Sequence, residues 1–103
     1  MRCRQCTPLP EEVARLAELL GRRWVLGILY AMARGGATRF NEFRQVLTGI
    51  PPRTLAQRLV ELEEAGVVAR QVVDARPPRV EYSLTRDGKK LLSVVNALHR
   101  LSS

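Results

Sequence analysis

The chain has 103 residues, of which 46% are hydrophobic and 26% are charged. This length suits one compact domain with a modest core, and this composition excludes an intrinsically disordered protein. Seventeen basic residues against ten acidic ones give a net charge of +7. That positive charge favours nucleic acid as the partner, with an anionic membrane surface as the second choice. The alternative is a basic soluble protein without such a partner.

The sequence contains no predicted membrane anchor or export signal. Arg, Glu or Gly interrupts every apolar run before it reaches membrane-spanning length. The first ten residues, MRCRQCTPLP, lack the apolar region of a secretory signal peptide. We therefore expect a cytoplasmic protein with no membrane contact.

The first part of the chain predicts an arm and two helices. Residues 1–9 are polar and read as a short irregular N-terminal arm, and residues 10–103 form a single domain. A first helix runs from Pro10 to Leu20, because proline suits the first helical turn and two glutamates follow it. After Gly21, a second helix from Arg22 to Arg34 is apolar almost all round and is expected at the centre of the core.

Two more helices form the middle of the chain. Asn41 is a predicted N-cap for a short third helix, Glu42 to Leu47. A tight turn then leads to a fourth helix from Pro52 to about Ala65, which Gly66 closes. Its buried stripe is set by apolar residues spaced four and three apart, namely Leu55, Leu59 and Leu62.

The last part of the chain predicts a β-hairpin and a final helix. Val67–Val73 and Val80–Leu84 are rich in valine and alternate, and the segment between them carries two prolines and two arginines. Thr85 caps a last helix that runs to about Leu101. The fold class is therefore mainly α with a small β-hairpin wing (α+β), a winged helix-turn-helix.

The fourth helix has an asymmetric charge distribution that DNA reading explains. Its front carries basic and amide side chains and its back carries glutamates. The reading helix of a helix-turn-helix enters the major groove with its front at the base edges. The predicted base contacts are Arg53, Thr54, Gln57 and Arg58. The alternative is a solvated surface helix on which Arg58 pairs with Glu61.

Basic residues outside the fourth helix are predicted to grip the DNA backbone. Arg76 and Arg79 flank Pro77–Pro78 at the hairpin tip, and the prolines stiffen that tip. Arg39 lies near the start of the third helix. We expect these three side chains to bind phosphates. The alternative for the wing is an ordinary solvated turn.

Three motifs resemble those of the HxlR-type winged-helix transcriptional regulators, which are relatives of the MarR group. They are GRRWVLGILYAMARGG, TRFNEFRQVLTGIPPRTLAQRLVELEEAGVV and RPPRVEYSLTRDGKKL. The resemblance covers roughly Gly21 to Leu101. It implies a homodimer that binds an operator of two half-sites, usually as a repressor, with the first and last helices forming the dimer. The family often has Ser where Pro51 stands here.

The terminal helices carry more apolar surface than one small domain should cover. We expect a homodimer interface made by Leu16, Leu20, Leu91, Val94, Val95 and Leu98. The resemblance implies the same helices. A winged-helix protein-interaction module is an alternative class, but it would be expected to have a neutral fourth helix and wing.

Cys3 and Cys6 form a CxxC pair flanked by Arg2 and Arg4, which favour the thiolate form. Redox sensing is one role, as the resemblance implies for a cysteine near the N-terminus, although the family cysteine normally lies closer to the Gly-Arg-Arg-Trp block. A zinc half-site and two inert thiols are the other readings. No catalytic constellation, metal site or cofactor motif is predicted, so the chain is not expected to be an enzyme. An oxidant or small-molecule effector is left open.

Overall fold

A computed structural model of the chain describes residues 6–102. The elements in order are α1 (Glu11–Leu20), α2 (Val25–Ala33), α3 (Phe40–Val46), α4 (Pro52–Glu64), β1 (Val68–Val73), β2 (Arg79–Leu84), α5 (Arg86–Lys89) and α6 (Leu92–Ser102). The predicted fold class, mainly helical with a two-stranded antiparallel wing, is confirmed. Within the described residues no helix is both long and apolar enough to cross a membrane.

Helix α2 lies at the centre of the core, as predicted. Its side chains Val25, Ile28 and Leu29 are at most 1% exposed. The predicted stripe of α4 packs against the same core, which also contains Phe43, Leu55, Leu59, Leu62, Val67, Val68, Leu91 and Val95. Apolar burial on this scale is the main stabilising contribution in a domain of this size.

Helix α2 begins at Val25, three residues later than predicted, because the chain turns sharply after α1. Trp24 adopts a left-handed conformation with φ of 79°, which is costly for a residue with a bulky side chain. The Arg23 guanidinium lies 5.4 Å from the centre of the Trp24 ring. The Trp24 carbonyl accepts a hydrogen bond from Ile28 N at 2.8 Å, so this turn leads directly into α2.

The wing is fastened to the helical body at its base. Strands β1 and β2 pair in antiparallel register from Val68↔Leu84 to Val73↔Arg79. The backbone N–H of Tyr82 donates to the Thr38 carbonyl at 2.7 Å. The Tyr82 ring meets Phe43 edge-on, with centroids 6.2 Å apart. The base of the hairpin therefore has a defined position relative to α3.

Two predictions about helix ends are wrong. Helix α3 begins at Phe40, so Asn41 lies inside the helix and is not its N-cap. The predicted last helix is two helices, because the backbone between them tightens into three-residue turns, with Leu91 N bonding to Gly88 O at 3.0 Å and Val94 N to Leu91 O at 3.0 Å. Gly88 packs so closely on the hairpin base that an added Cβ would lie 2.0 Å from the Val67 carbonyl oxygen. This contact holds α5 against the wing, while α6 packs along α2.

Part of the predicted dimer face is also wrong. Leu91 and Val95 are only 8% and 1% exposed, because they face the chain's own core. Leu20 is half-buried and packs against that core as well. Helix α1 has no buried residue at all. The apolar side chains that remain exposed on the terminal helices are Val13, Leu16, Val94, Leu98 and Leu101.

Candidate nucleic-acid interface

The front of α4 is exposed and positively charged. Arg53 and Gln57 are exposed, and Thr54 is half-buried. The first turn of α4 contains no acidic residue, and no side chain caps it. The positive end of the helix dipole is therefore not neutralised from within α4. Of the predicted base contacts, Arg53 and Gln57 are thus the most accessible.

The Arg58 side chain is engaged within the protein. Its Nε donates to the Arg23 carbonyl oxygen at 3.0 Å, and its Nη1 lies 3.0 Å from Glu61 Oε1. The side chain is only 21% exposed. The base contact predicted for Arg58 stays a prediction; in this structure the guanidinium joins α4 to the turn before α2.

Glu61 collects three partners on one carboxylate. Arg22 Nη1 lies 2.7 Å from its Oε2, and Gln57 Nε2 donates to the same oxygen at 3.1 Å, in addition to the Arg58 contact. Burial alone would raise the pKa of Glu61. The Gln57 amide and the Arg58 and Arg22 guanidinium groups outweigh it, and they hold that pKa below its ordinary value of 4.5. Glu61 is therefore a charged junction behind the exposed front of α4.

The two phosphate contacts predicted from different elements, Arg39 and Arg79, line one cleft. This cleft has a volume of about 510 Å³ and lies between α3 and the wing. Both residues are exposed, and Arg79 Nε is paired with Glu81 Oε2 at 2.8 Å. The other wing residue, Arg76, is exposed beyond the strands. Arg39 and Arg79 are thus close enough to act on the same stretch of a ligand.

A second cleft, of about 650 Å³, lies where α3 meets the start of α4. Its lining is Asn41, Arg44, Gln45, Gly49, Ile50, Pro51 and Pro52. Asn41 and Gln45 line both clefts, so the two adjoin along α3. The sequence reasoning missed Arg44 and Gln45 as site residues. Their spacing from Asn41 by three and four positions puts all three on one helix face, which was the available signal.

Glu42 stabilises the start of α3 beneath these clefts. Its Oε1 accepts hydrogen bonds from the backbone N–H groups of Thr38 and Arg39, both at 2.9 Å, and from the Thr38 hydroxyl at 3.1 Å. The two N–H groups are the main reason that the pKa of Glu42 lies below 4.5, and the Thr38 hydroxyl adds to the effect. This carboxylate sets the backbone from which the Arg39 side chain projects.

The remaining predicted site residues are the redox candidates Cys3 and Cys6. Cys3 lies outside the described residues. Cys6 is exposed and disulfide-bonded. His99, the single histidine, shares a hydrogen bond of 2.9 Å with the Tyr30 hydroxyl, which links α6 to α2. Among the described residues there is no group of three or more His, Cys, Asp or Glu side chains arranged to hold a metal ion.

Comparison with known proteins relates the chain to helix-turn-helix regulators. The model of the HxlR-like helix-turn-helix family matches residues 19–103. A relative named uncharacterized HTH-type transcriptional regulator YvaP, from Bacillus subtilis (strain 168), is 37% identical over 86 residues, which are 84% of this chain and 79% of that protein.

Solved structures show the same arrangement of elements. A candidate MarR-family transcriptional regulator from Porphyromonas gingivalis W83 has a TM-score of 0.82 and 26% identity, and the match covers 96% of each chain. The redox regulator HypR in its oxidized form has a TM-score of 0.78 and 36% identity, covering 87% of this chain and 92% of HypR.

Proposed function

Because the chain belongs to the HxlR-like helix-turn-helix family, it is a transcriptional regulator with a DNA-binding helix-turn-helix, and we propose that it represses its target as a homodimer on an operator of two half-sites. In this proposal α4 enters the major groove and reads base edges. Arg39 and the wing residues Arg76 and Arg79 hold the flanking phosphates.

The observation that carries the proposal is the continuity of the exposed surface. The front of α4 adjoins the cleft at its start. That cleft in turn adjoins the cleft beside the wing along α3. The cations Arg44, Arg39 and Arg79 are distributed along this path. A continuous basic surface of this kind matches a DNA backbone that runs beside the groove occupied by α4.

Base reading in this proposal rests on Arg53, Gln57 and Thr54. Arginine forms two hydrogen bonds to guanine O6 and N7, and glutamine forms two to adenine N6 and N7. Thr54 is half-buried, and its methyl group suits a contact with a thymine methyl. Arg58 is assigned a positioning role because its guanidinium is already engaged.

The homodimer is supported by apolar side chains of α1 and α6 that the described part of the chain leaves exposed. Val13 and Leu16 of α1 are 48% and 39% exposed, and Val94 and Leu98 of α6 are 37% and 38% exposed. Burying such faces against a second copy would remove them from water. Two-fold symmetry would place the two α4 helices on half-sites about one helical turn of DNA apart, roughly 10 base pairs.

The test is selection of bound duplexes from a random library, followed by titration of the selected duplex and a scrambled one at physiological salt. A two-fold symmetric motif bound tightly over the scrambled duplex is the expected result. Equal, weak binding to both duplexes would contradict sequence-specific regulation. No binding to either would favour a winged-helix protein-interaction module.

Two variants distinguish the proposed base reading by α4 from the proposed phosphate binding by the wing. Gln57→Ala should relax preference at one motif position, costing about 1–3 kcal/mol for the preferred base. Arg79→Ala should weaken all duplexes alike and lower the dependence of affinity on salt. A base-specific loss in the Arg79 variant, or an unchanged motif in the Gln57 variant, would reverse that assignment.

Redox control of DNA binding is a second candidate function. It is supported by the similarity to the redox regulator HypR and by the disulfide at Cys6. The same titration should be run on reduced and oxidised protein, with a Cys6→Ser variant as control. A change in affinity that oxidation causes in the wild type but not in the variant would support this role, and equal affinity in both redox states would contradict it.

A further inference from the structure

Glu61 occupies an unusual place for a charge on a DNA-reading helix. Its side chain is 14% exposed, and it contacts groups from two separate parts of the chain. Gln57 and Arg58 belong to α4 itself, whereas Arg22 belongs to the turn after α1. The contact with Gln57 reaches one of the exposed side chains proposed to read bases.

We propose that Glu61 is a positioning residue for base recognition, which orients the Gln57 amide and ties α4 to the end of α1. This inference rests on the proposed function, because it concerns how the reading helix is presented to DNA. It makes Glu61 a determinant of specificity that has no contact with the DNA.

The chemistry of the Gln57 amide fits this role. One N–H of Nε2 donates to Glu61 Oε2 at 3.1 Å. The amide keeps a second N–H donor and its oxygen acceptor, and an adenine edge requires one donor for N7 and one acceptor for N6. An amide anchored in this way is already limited in its rotamers before DNA arrives, so less freedom is lost on binding.

The tether to α1 runs through Arg22. Its guanidinium bonds to Glu61 at 2.7 Å through one nitrogen, and it lies 3.6 Å from Glu18 of α1 through the other. Arg58 reinforces the same junction by donating to the Arg23 carbonyl at 3.0 Å. The helix proposed to form the dimer is therefore connected through two ion pairs to the helix proposed to read DNA.

The experiment compares Glu61→Gln with Glu64→Gln in the duplex selection. Both variants remove one negative charge from the last part of α4, and Glu64 is exposed and has no ion pair within the described part of the chain. We expect the Glu61 variant to lose preference at the position read by Gln57. Its affinity ratio between selected and scrambled duplexes should fall about tenfold, which is within the range that one bidentate base contact provides. The Glu64 variant should keep the wild-type motif and ratio.

A coupling measurement tests the tether, and it also covers the case in which the Glu61 variant fails to fold. Arg22→Gln should lower the same affinity ratio, and combining it with Glu61→Gln should add little, because both remove one connection. Arg15→Gln is the matched control, since Arg15 is exposed and, among residues 6–102, its ion pair is with Glu11 of the same helix. Additive effects of the Arg22 and Glu61 variants, or an effect of the Arg15 variant equal to that of Arg22, would overturn the tether.

The outcomes separate this inference from the proposed function. A wild-type protein that selects no motif would overturn both. A wild-type motif that persists unchanged in Glu61→Gln and in Arg22→Gln would overturn the positioning role alone. Reduced affinity for every duplex, with an unchanged affinity ratio, would likewise count against it, because a loss of folded protein affects all sequences equally.

Discussion

Replacing Arg58 by alanine should mainly destabilise the fold, because its guanidinium is engaged within the protein. The guanidinium donates to the Arg23 carbonyl at 3.0 Å and lies 3.0 Å from Glu61. The Arg58 side chain is only 21% exposed. The first contact links α4 to the turn before α2, and the second lies within α4. Neither contact depends on DNA, so losing them lowers the free energy of unfolding of the free protein.

The magnitude follows from these two contacts. A hydrogen bond from a charged donor contributes about 1.5–3 kcal/mol, and the ion pair adds at most about 1 kcal/mol, because Arg22 still neutralises Glu61 in the variant. We expect the free energy of unfolding to fall by about 2–3 kcal/mol. In a domain of this length that is a decrease in Tm of about 10 °C or more.

Urea unfolding at matched protein concentration measures the effect, with Arg53→Ala as the control. Arg53 is exposed at the front of the same helix, so its variant should keep the wild-type stability within about 0.5 kcal/mol while losing affinity for the selected duplex. The reasoning would be refuted if Arg58→Ala were as stable as the wild type and lost preference at one base position.

Three other perturbations test the carboxylate at α3, the hairpin base and the dimer face. Hydrogen bonds from backbone N–H groups lower the pKa of Glu42, so its contribution to stability is complete above the ordinary value of 4.5 and is lost as the pH falls through the lowered folded-state pKa. Glu42→Gln should therefore be less stable than the wild type near pH 7, and the deficit should shrink as the pH falls through that lowered pKa; a deficit that does not change with pH in urea titrations would contradict this. Gly88→Ala forces a Cβ to within 2.0 Å of the Val67 carbonyl and should cost at least about 1–3 kcal/mol in thermal unfolding, whereas Gly27→Ala meets only a movable side-chain carbon and should cost little. Leu16→Asp should convert the proposed homodimer to a monomer in sedimentation at micromolar concentration, and a variant that stays dimeric would remove α1 from the interface.

The order and type of the elements could be predicted because they follow from local patterns. The period of Leu55, Leu59 and Leu62 predicted the buried stripe of α4, and all three are at most 1% exposed. The prolines at positions 51 and 52 and the positive-φ glycine at position 66 bracket that helix at the predicted places. Alternating residues on either side of a proline-containing turn likewise predicted the hairpin.

Local patterns were misleading where a side chain had a choice of partner. Asn41 is a good cap by residue type, but the Glu42 carboxylate takes the backbone N–H groups of Thr38 and Arg39 instead. Leu91 and Val95 read as surplus apolar surface, because periodicity shows that residues share a face and not what covers that face. The packing of α5 on the wing depends on the contact of Gly88 with Val67, which is far from it in sequence.

By itself, the sequence determined the winged helix-turn-helix, the basic front of α4 and the cations of the wing, because residue type and spacing along one element specify each of them. Only the tertiary structure decided which of these side chains are already engaged with other parts of the protein. It engaged Arg58 with the Arg23 carbonyl, brought Arg39 and Arg79 to one cleft, and joined Arg22 to Glu61. Each of these contacts connects different elements, and their geometry is set by how the helices pack around α2, so no pattern within a single element contains it.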